Sequence, residues 1–308
     1  MCGLYGALSY GDEIKDIAEI TEALAIESAV RGTDATGYAY NSGGHINVQK
    51  KSKSAYEMNF TVPKHTAAVM GHTRHATQGT IKFNGNNHPF RGRCGNTDFA
   101  LAHNGILCND RELRKELKLP KTKIETDSYI AVQLIESKKH FDFDTIKYLA
   151  EAVDGSFSFS ILDDMDNLYL IKGDSPITLF HFPSSAVYVY ASTLSILWKA
   201  LVDTELFREL QLGEYEEIGV DDGEILKICS TGEIECEKFK FDATASYGLD
   251  WRTGYNYDLS ELGNGYIDDI KAVAQHYGYD SEEIDTLLTQ GFSIWEVEDL
   301  IYNGCLEV

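Results

Sequence analysis

Short apolar runs bounded by turn residues recur through the first 240 residues, on both sides of segments with helical spacing. No other feature constrains the fold as much. Residues 4–8 form such a run at the very start, and 67–70, 99–102, 156–162, 168–172 and 187–191 form others. Runs this short fit strands buried in a sheet. Residues 37–40 and 45–48 read as two strands around a turn at 41–44. Asp221-Asp222-Gly223 reads as a hairpin turn between two further apolar segments. Helical spacing covers 14–30, where Ile14, Ile17, Ile20, Leu24 and Ile26 fall mostly on one side, and also 127–136 and 143–153. Strands at both ends with helices between them predict an α+β layered domain over residues 2–240.

The composition shifts after Ser246, where 2 basic residues stand against 13 acidic ones. Acidic tails are commonly disordered, but this one carries Trp251, Tyr266, Tyr277, Phe292 and Trp295. Ile267, Ile270, Val273 and Tyr277 share a helical face that Gly278 ends. Asp280 and Glu283 form a capping box. Ser293 and Glu296 form another, with Phe292 and Val297 as its hydrophobic staple. Gly304 closes the last helix. Three short helices are expected, forming a small acidic helical domain over 246–308.

The net charge of −22 speaks against nucleic acid and anionic membrane surfaces as partners. Two local basic clusters, Lys50, Lys51 and Lys53 and the stretch from Arg111 to Lys123, read as solvated faces. No apolar run approaches the ~18 residues of a membrane span, and the start lacks the pattern of a signal peptide. The cysteines at 2, 94, 108, 229, 236 and 305 are widely spread, without a Cys-x-x-Cys. A reduced, cytoplasmic protein is expected.

Cys2 carries the first chemical suggestion. Aminopeptidases remove an initiator Met that precedes a small residue, which leaves Cys2 with its own α-amine. That group has a reference pKa of about 7.7–8.0. It can act as general base for the adjacent thiol, so one residue supplies nucleophile and base. A Met-Cys start alone says little; its weight comes from other motifs. These are Arg31-Gly32-Thr33-Asp34-Ala35-Thr36-Gly37, Gly71-His72-Thr73-Arg74-His75-Ala76-Thr77-Gln78-Gly79, His103-Asn104-Gly105 and Glu125-Thr126-Asp127-Ser128. Val153-Asp154-Gly155-Ser156-Phe157, the stretch from Lys172 to Ile177, and Tyr190-Ala191-Ser192 follow in order.

In this order the motifs resemble the class II glutamine amidotransferases, and most of all the glutaminase domain of the glutamine:fructose-6-phosphate amidotransferases. The resemblance covers residues 2–240. It implies a four-layer αββα sandwich of the N-terminal-nucleophile (Ntn) hydrolase type and L-glutamine as substrate. Cys2 attacks the side-chain amide, and a thioester forms. The oxyanion needs preorganised donors, and the resemblance assigns them to the Asn104 side chain and the Gly105 backbone. Arg74 suits the α-carboxylate through its planar fork, and Asp127 suits the α-ammonium. Residues 74–81 correspond to a lid, in which His75 and Thr77 reach the substrate. Arg31, Gly32 and Asp34 support the Cys2 end. Two lid positions depart from the synthase pattern: His75 stands for a tryptophan and Gln78 for a histidine. The tryptophan helps gate ammonia there, so glutamine hydrolysis stays plausible while coupling to an acceptor comes into question.

No cofactor is implied. His65, His72, His75, His88 and His103 cluster in sequence, but no acidic or cysteine partner has zinc-like spacing. Asp163, Asp164 and Asp166 lack the rest of a calcium loop and read as a hairpin turn. The residues after 246 are too few for a domain that uses the ammonia, so a separate synthase partner is expected to accept it, or the ammonia is released. Two other readings remain: an Ntn amidase for another amide, against which Arg74 and Asp127 speak, and a catalytically idle regulatory or binding module of the same fold.

Overall fold

A computed structural model describes residues 2–11, 14–241, 270–271, 274–275, 279–289, 297 and 300–301. The chain runs through β1 (Gly3–Ser9), α1 (Ala18–Ser28), β2 (Ala35–Ser42), β3 (His45–Lys51), β4 (Ala68–Arg74), β5 (Phe90–Cys94) and β6 (Thr97–Leu107). It continues through α2 (Asp110–Glu116), α3 (Tyr129–Glu136), α4 (Phe143–Ala152), β7 (Gly155–Asp163), β8 (Leu168–Lys172), β9 (Thr178–Phe182) and β10 (Val187–Ala191). Then come α5 (Leu194–Leu201), α6 (Phe207–Leu212), β11 (Glu216–Ile218), β12 (Glu224–Ile228), β13 (Ile234–Lys238) and α7 (Ser281–Thr289).

The strands form two antiparallel sheets, one 7-stranded in the order β11-β9-β10-β1-β4-β2-β3 and one 6-stranded in the order β13-β12-β8-β7-β6-β5. The period of two along a strand sends alternate side chains to opposite faces. In β1, Tyr5 and Ala7 pack with Leu24 of α1 and Leu197 of α5. Leu4 and Leu8 point the other way and meet Ala100, Ala102, Leu162 and Leu226 of the second sheet. On that sheet Leu101, Phe157 and Phe159 pack under α3 and α4 with Ile130, Leu134 and Leu149. Helices therefore cover the outer face of each sheet, and the inner faces meet in a buried apolar core. Burying each Leu or Phe contributes about 1.5–3 kcal/mol. The result is the expected αββα arrangement.

Local departures from the sequence expectations have visible causes. The helix expected over 14–30 begins only at Ala18 and closes in a 3-10 turn, Ala29–Arg31. Residues just before it are held otherwise: the Lys15 N–H donates to Ser9 Oγ at 2.9 Å, and Asp16 Oδ1 accepts the Ala18 N–H at 3.2 Å. The turn expected at 41–44 narrows to Gly43-Gly44, both at positive φ, and the flanking strands are longer. Asp221-Asp222-Gly223 is a turn but not a hairpin. β11 before it pairs with β9, and β12 after it pairs with β8, so the chain changes sheets here. The hairpin instead joins β12 to β13. The Asp163–Asp166 stretch is the turn between β7 and β8. Asp163 there accepts the Met165 and Asn167 N–H groups, each at 2.9 Å.

In the C-terminal part, Asp280 Oδ1 accepts the Glu282 N–H, and Glu283 Oε2 accepts the Asp280 N–H at 3.2 Å, which is the capping-box pattern at the start of α7. Ile270, Ala274, Ile284, Val297 and Ile301 form a small buried cluster. Trp251, Ile267, Val273, Tyr277, Gly278, Phe292, Ser293, Glu296 and Gly304, on which the other helix expectations rested, lie outside the described residues. Among the described residues no helix is long and apolar enough to cross a membrane.

Candidate active site

Two of the motifs lie on strands. Gly71-His72-Thr73-Arg74 closes β4, and His103-Asn104-Gly105 lies inside β6. Alternation then fixes where they face. Ala68 and Met70 look into the inter-sheet core, so His72 and Arg74 follow on the same face, while Thr73 turns toward α1 and donates to the Ser28 carbonyl at 2.7 Å. Ala100 and Ala102 look into the same core from the other sheet, and Asn104 continues their row. Gly3 pairs with Thr73, so one further step sets Cys2 across from Arg74. Both sheets thus direct functional groups to one end of the gap between them. His72 links the sheets there, with Nε2 at 3.0 Å from the His103 carbonyl.

Cys2 is held at both its ends. Arg31 Nε donates to the Cys2 carbonyl at 2.7 Å. The thiol sits 3.5 Å from the His75 carbonyl. Burial pushes the thiol pKa up, against the opposing pull of the His75 backbone, Arg74 and Arg31. A thiol raised in this way needs a base to react at neutral pH.

Arg74 is buried and its fork is occupied by the chain itself. It donates to Asn87 Oδ1 at 2.7 Å and to the Gln78 and Gly79 carbonyls at 2.6 and 3.0 Å. Burial lowers its pKa, while Cys2, Asp34 and Asp127 oppose that shift, so all three lie within electrostatic reach of Arg74. Asp34 shapes the start of the following loop: Oδ2 accepts the Ala76 N–H at 2.8 Å and lies 3.9 Å from His75 Nδ1. Gly32 permits this closeness, since a Cβ there would stand 2.3 Å from the carbonyl carbon of Arg74. Thr77 is at the exposed tip of the loop.

Asn104 is buried, and its amide Nδ2 has no hydrogen-bond partner among the described residues. A buried donor left without a partner is costly, and at a functional site it points to a ligand that completes it. Gly105 has φ +132°, and a Cβ would stand 2.0 Å from the Ser156 carbonyl oxygen. Only glycine fits this crossing of β6 and β7. Asp127 precedes α3, and its Oδ2 accepts the Leu107 N–H at 2.7 Å.

Sequence reasoning missed the groups that pin the loop over this end. Glu125 Oε2 accepts the Thr80 N–H at 3.2 Å and Asn86 Nδ2 at 2.9 Å. The Glu125 carbonyl accepts Gln78 Nε2, and its N–H donates to Asn86 Oδ1, each at 2.9 Å. Asn86 and Asn87 are single asparagines in a loop, and no sequence pattern separates them from turn formers. Lys50, read as solvated, instead donates to the Asn87 and Pro89 carbonyls and lies over the Phe90 ring, and burial lowers its pKa to about 8. His72, His88 and His103 are also buried, with pKa values lowered by burial, that of His72 to about 3. Among the described residues no three His, Cys, Asp or Glu side chains are arranged to hold a metal ion.

Comparison with known proteins bears on the family and the fold. Residues 72–199 match the family described as a glutamine amidotransferase domain. The isomerizing glutamine-fructose-6-phosphate aminotransferase of Sulfurisphaera tokodaii is 31% identical over 188 residues, covering 58% of this chain and 31% of that protein. Its counterpart in Staphylococcus aureus is 31% identical over 192 residues, covering 58% of this chain and 30% of that protein. The chain carries a class II glutamine amidotransferase domain. It spans about a third of the length of these curated relatives. Glutamine phosphoribosylpyrophosphate amidotransferase from B. subtilis, solved with ADP and GMP, superposes with a TM-score of 0.62 at 21% identity, over 78% of this chain and 50% of that one. That likeness establishes the fold, the αββα sandwich of two antiparallel sheets.

Proposed function

We propose that this glutamine amidotransferase domain hydrolyses L-glutamine to glutamate and ammonia, with Cys2 as an N-terminal nucleophile after loss of Met1. The observation that carries the reading is the unpartnered, buried Asn104 amide, which comes from the opposite sheet to the end of the gap where Cys2 and Arg74 lie. The Cys2 amine takes the thiol proton as Sγ bonds to the amide carbon of glutamine. The negative charge that develops on the amide oxygen is received by Asn104 Nδ2–H and Gly105 N–H. Collapse of the intermediate breaks the C–N bond, and the amine returns its proton to the leaving nitrogen, which departs as ammonia. The thioester left on Cys2 is attacked by water, whose proton passes to the amine and on to the departing sulfur.

Arg74 holds the α-carboxylate and Asp127 the α-ammonium, with Thr77 and His75 closing from the loop. Arg31, Gly32 and Asp34 fix the backbone on which Cys2 and that loop rest. A carboxylate there must share or displace the bonds that Arg74 makes to the Gln78 and Gly79 carbonyls, which couples substrate binding to the loop that excludes water. The ammonia passes to an acceptor on a separate synthase partner, and the protein works in the cytoplasm without a cofactor. The acidic segment 246–308 makes up a second, small helical domain that follows the glutaminase domain at 2–240 in sequence.

The test is glutamate release from L-glutamine by the purified chain, with intact mass confirming loss of Met1 and Cys2→Ala run alongside. Release that disappears in Cys2→Ala is expected. Equal release from both proteins, or none from a chain with a free Cys2 amine, would overturn the reading.

A further inference from the structure

A buried carboxylate such as Asp127 must be held by donors if it is to stay charged and oriented. Oδ2 has the Leu107 N–H, and Oδ1 has the Ser128 hydroxyl at 3.3 Å. The same Ser128 Oγ lies 2.8 Å from His103 Nδ1. Ser128 owns one hydroxyl proton, and an ionised carboxylate is the stronger acceptor. The proton therefore goes to Asp127, and Oγ accepts from Nδ1–H of His103. This sets the His103 tautomer. Its Nε2 has no hydrogen-bond partner among the described residues, and the nearby Ser156 carbonyl only favours the charged ring without meeting hydrogen-bond geometry. His103 in turn takes Nε2–H of His72 on its carbonyl and directly precedes Asn104 on β6. One chain of contacts thus runs from His72 through His103 and Ser128 to Asp127. Each Asp127 oxygen keeps lone-pair capacity for a cation.

We propose that Ser128 and His103 are positioning residues that orient the Asp127 carboxylate toward an α-ammonium group, and so give the site its preference for amides that carry one. The proposal rests on the role given to Asp127 above. Neither residue touches the substrate. The Asp127 contact is the same in ground state and transition state, so loosening it raises KM more than it lowers kcat.

The experiment measures kcat and KM for L-glutamine and for glutaramate, which keeps the amide and carboxylate but lacks the α-amine. Wild type, Ser128→Ala, Ser128→Thr, His103→Asn and His103→Leu are compared. Ser128→Ala is expected to lower the glutamine-over-glutaramate preference about tenfold, the loss of one hydrogen bond to a charged group, with the change in KM. Ser128→Thr keeps the hydroxyl and His103→Asn keeps a donor near the Nδ1 position, so both retain most of the preference. His103→Leu loses it, which gives a second test should Ser128→Ala not fold. Equal losses on both substrates, or an unchanged preference in Ser128→Ala and His103→Leu, would overturn the proposal. A wild-type protein that cleaves neither amide overturns the glutaminase reading itself, and the wild-type measurement alone shows this.

Discussion

At Asn104, folding and catalysis are expected to pull in opposite directions. The residue is 3% exposed, and its Nδ2 has no partner among the described residues. Keeping a buried donor unsatisfied costs about 1–3 kcal/mol. Leucine keeps the four side-chain heavy atoms and lacks the donor, but its methyl groups are bulkier. Relief of the unsatisfied donor and overpacking, each about 1–3 kcal/mol, then oppose one another, so Asn104→Leu is expected to change the unfolding free energy by no more than about 1–2 kcal/mol. As an oxyanion donor, the same amide is worth about 10²–10³ in rate, or roughly 2.7–4 kcal/mol of transition-state stabilisation. Urea unfolding followed by circular dichroism gives the first quantity, and glutamate release under saturating glutamine gives the second. A variant that stays active within about threefold would refute the assignment. So would one destabilised by several kcal/mol whose activity loss merely follows its folded fraction.

Arg74→Lys loses the planar fork that reaches Asn87 Oδ1 and the Gln78 and Gly79 carbonyls; KM for glutamine is expected to rise about tenfold or more, with faster proteolysis within residues 75–80. Glu125→Ala removes the acceptor of Asn86 Nδ2 and the Thr80 N–H, so amide hydrogen exchange at Thr80 should speed up. Those hydrogen bonds hold the Glu125 pKa below its ordinary value. Its tether is therefore intact above the ordinary glutamate range and is lost as pH falls through the lower folded value, which exchange measured against pH will show. His72, His88 and His103 are neutral in the fold because burial lowers their pKa values. Above about pH 6.5 they are neutral in both states and cost nothing. Below it the unfolded chain takes up protons that His72 and His88 refuse in the fold, so their contribution to stability falls with a slope approaching about 2.7 kcal/mol per pH unit near pH 5. A flat profile from pH 7 to 5 would contradict this. Gly32→Ala places a methyl 2.3 Å from the Arg74 carbonyl carbon and is expected to lower the urea midpoint by an amount equivalent to about 2 kcal/mol or more.

The layered fold was readable because its signal is repeated. Residues 168–172 and 187–191 are short apolar runs that form β8 and β10 with those bounds. β5 was not read from sequence, since Arg91 and Arg93 on its exposed face interrupt the apolar row of Phe90 and Cys94. The sheet change at Asp221-Asp222-Gly223 was hidden because a turn signal is local and says nothing about which strand the next one will pair with. Cys2, Arg74, Asn104 and Asp127 were legible as residue types with matching chemistry. What brings them together was not. Asn104 faces the inter-sheet gap because of its parity with Ala100 and Ala102, and that parity means something only once β6 is known to reach Leu107. Glu125, Asn86 and Ser128 act through contacts between residues distant in sequence or through a side chain's direction, and composition encodes neither.

The central claim is that Cys2 is the nucleophile for a glutamine-shaped substrate. Labelling with a diazo-ketone analogue of glutamine, read by intact mass and peptide mapping, tests it most directly. One adduct per chain is expected, on the N-terminal peptide and on Cys2, blocked by excess L-glutamine and absent from Cys2→Ala. A chain with Met1 removed that takes up no label, or takes it up on the exposed Cys108 or Cys236 while Cys2 stays unmodified, would contradict the account.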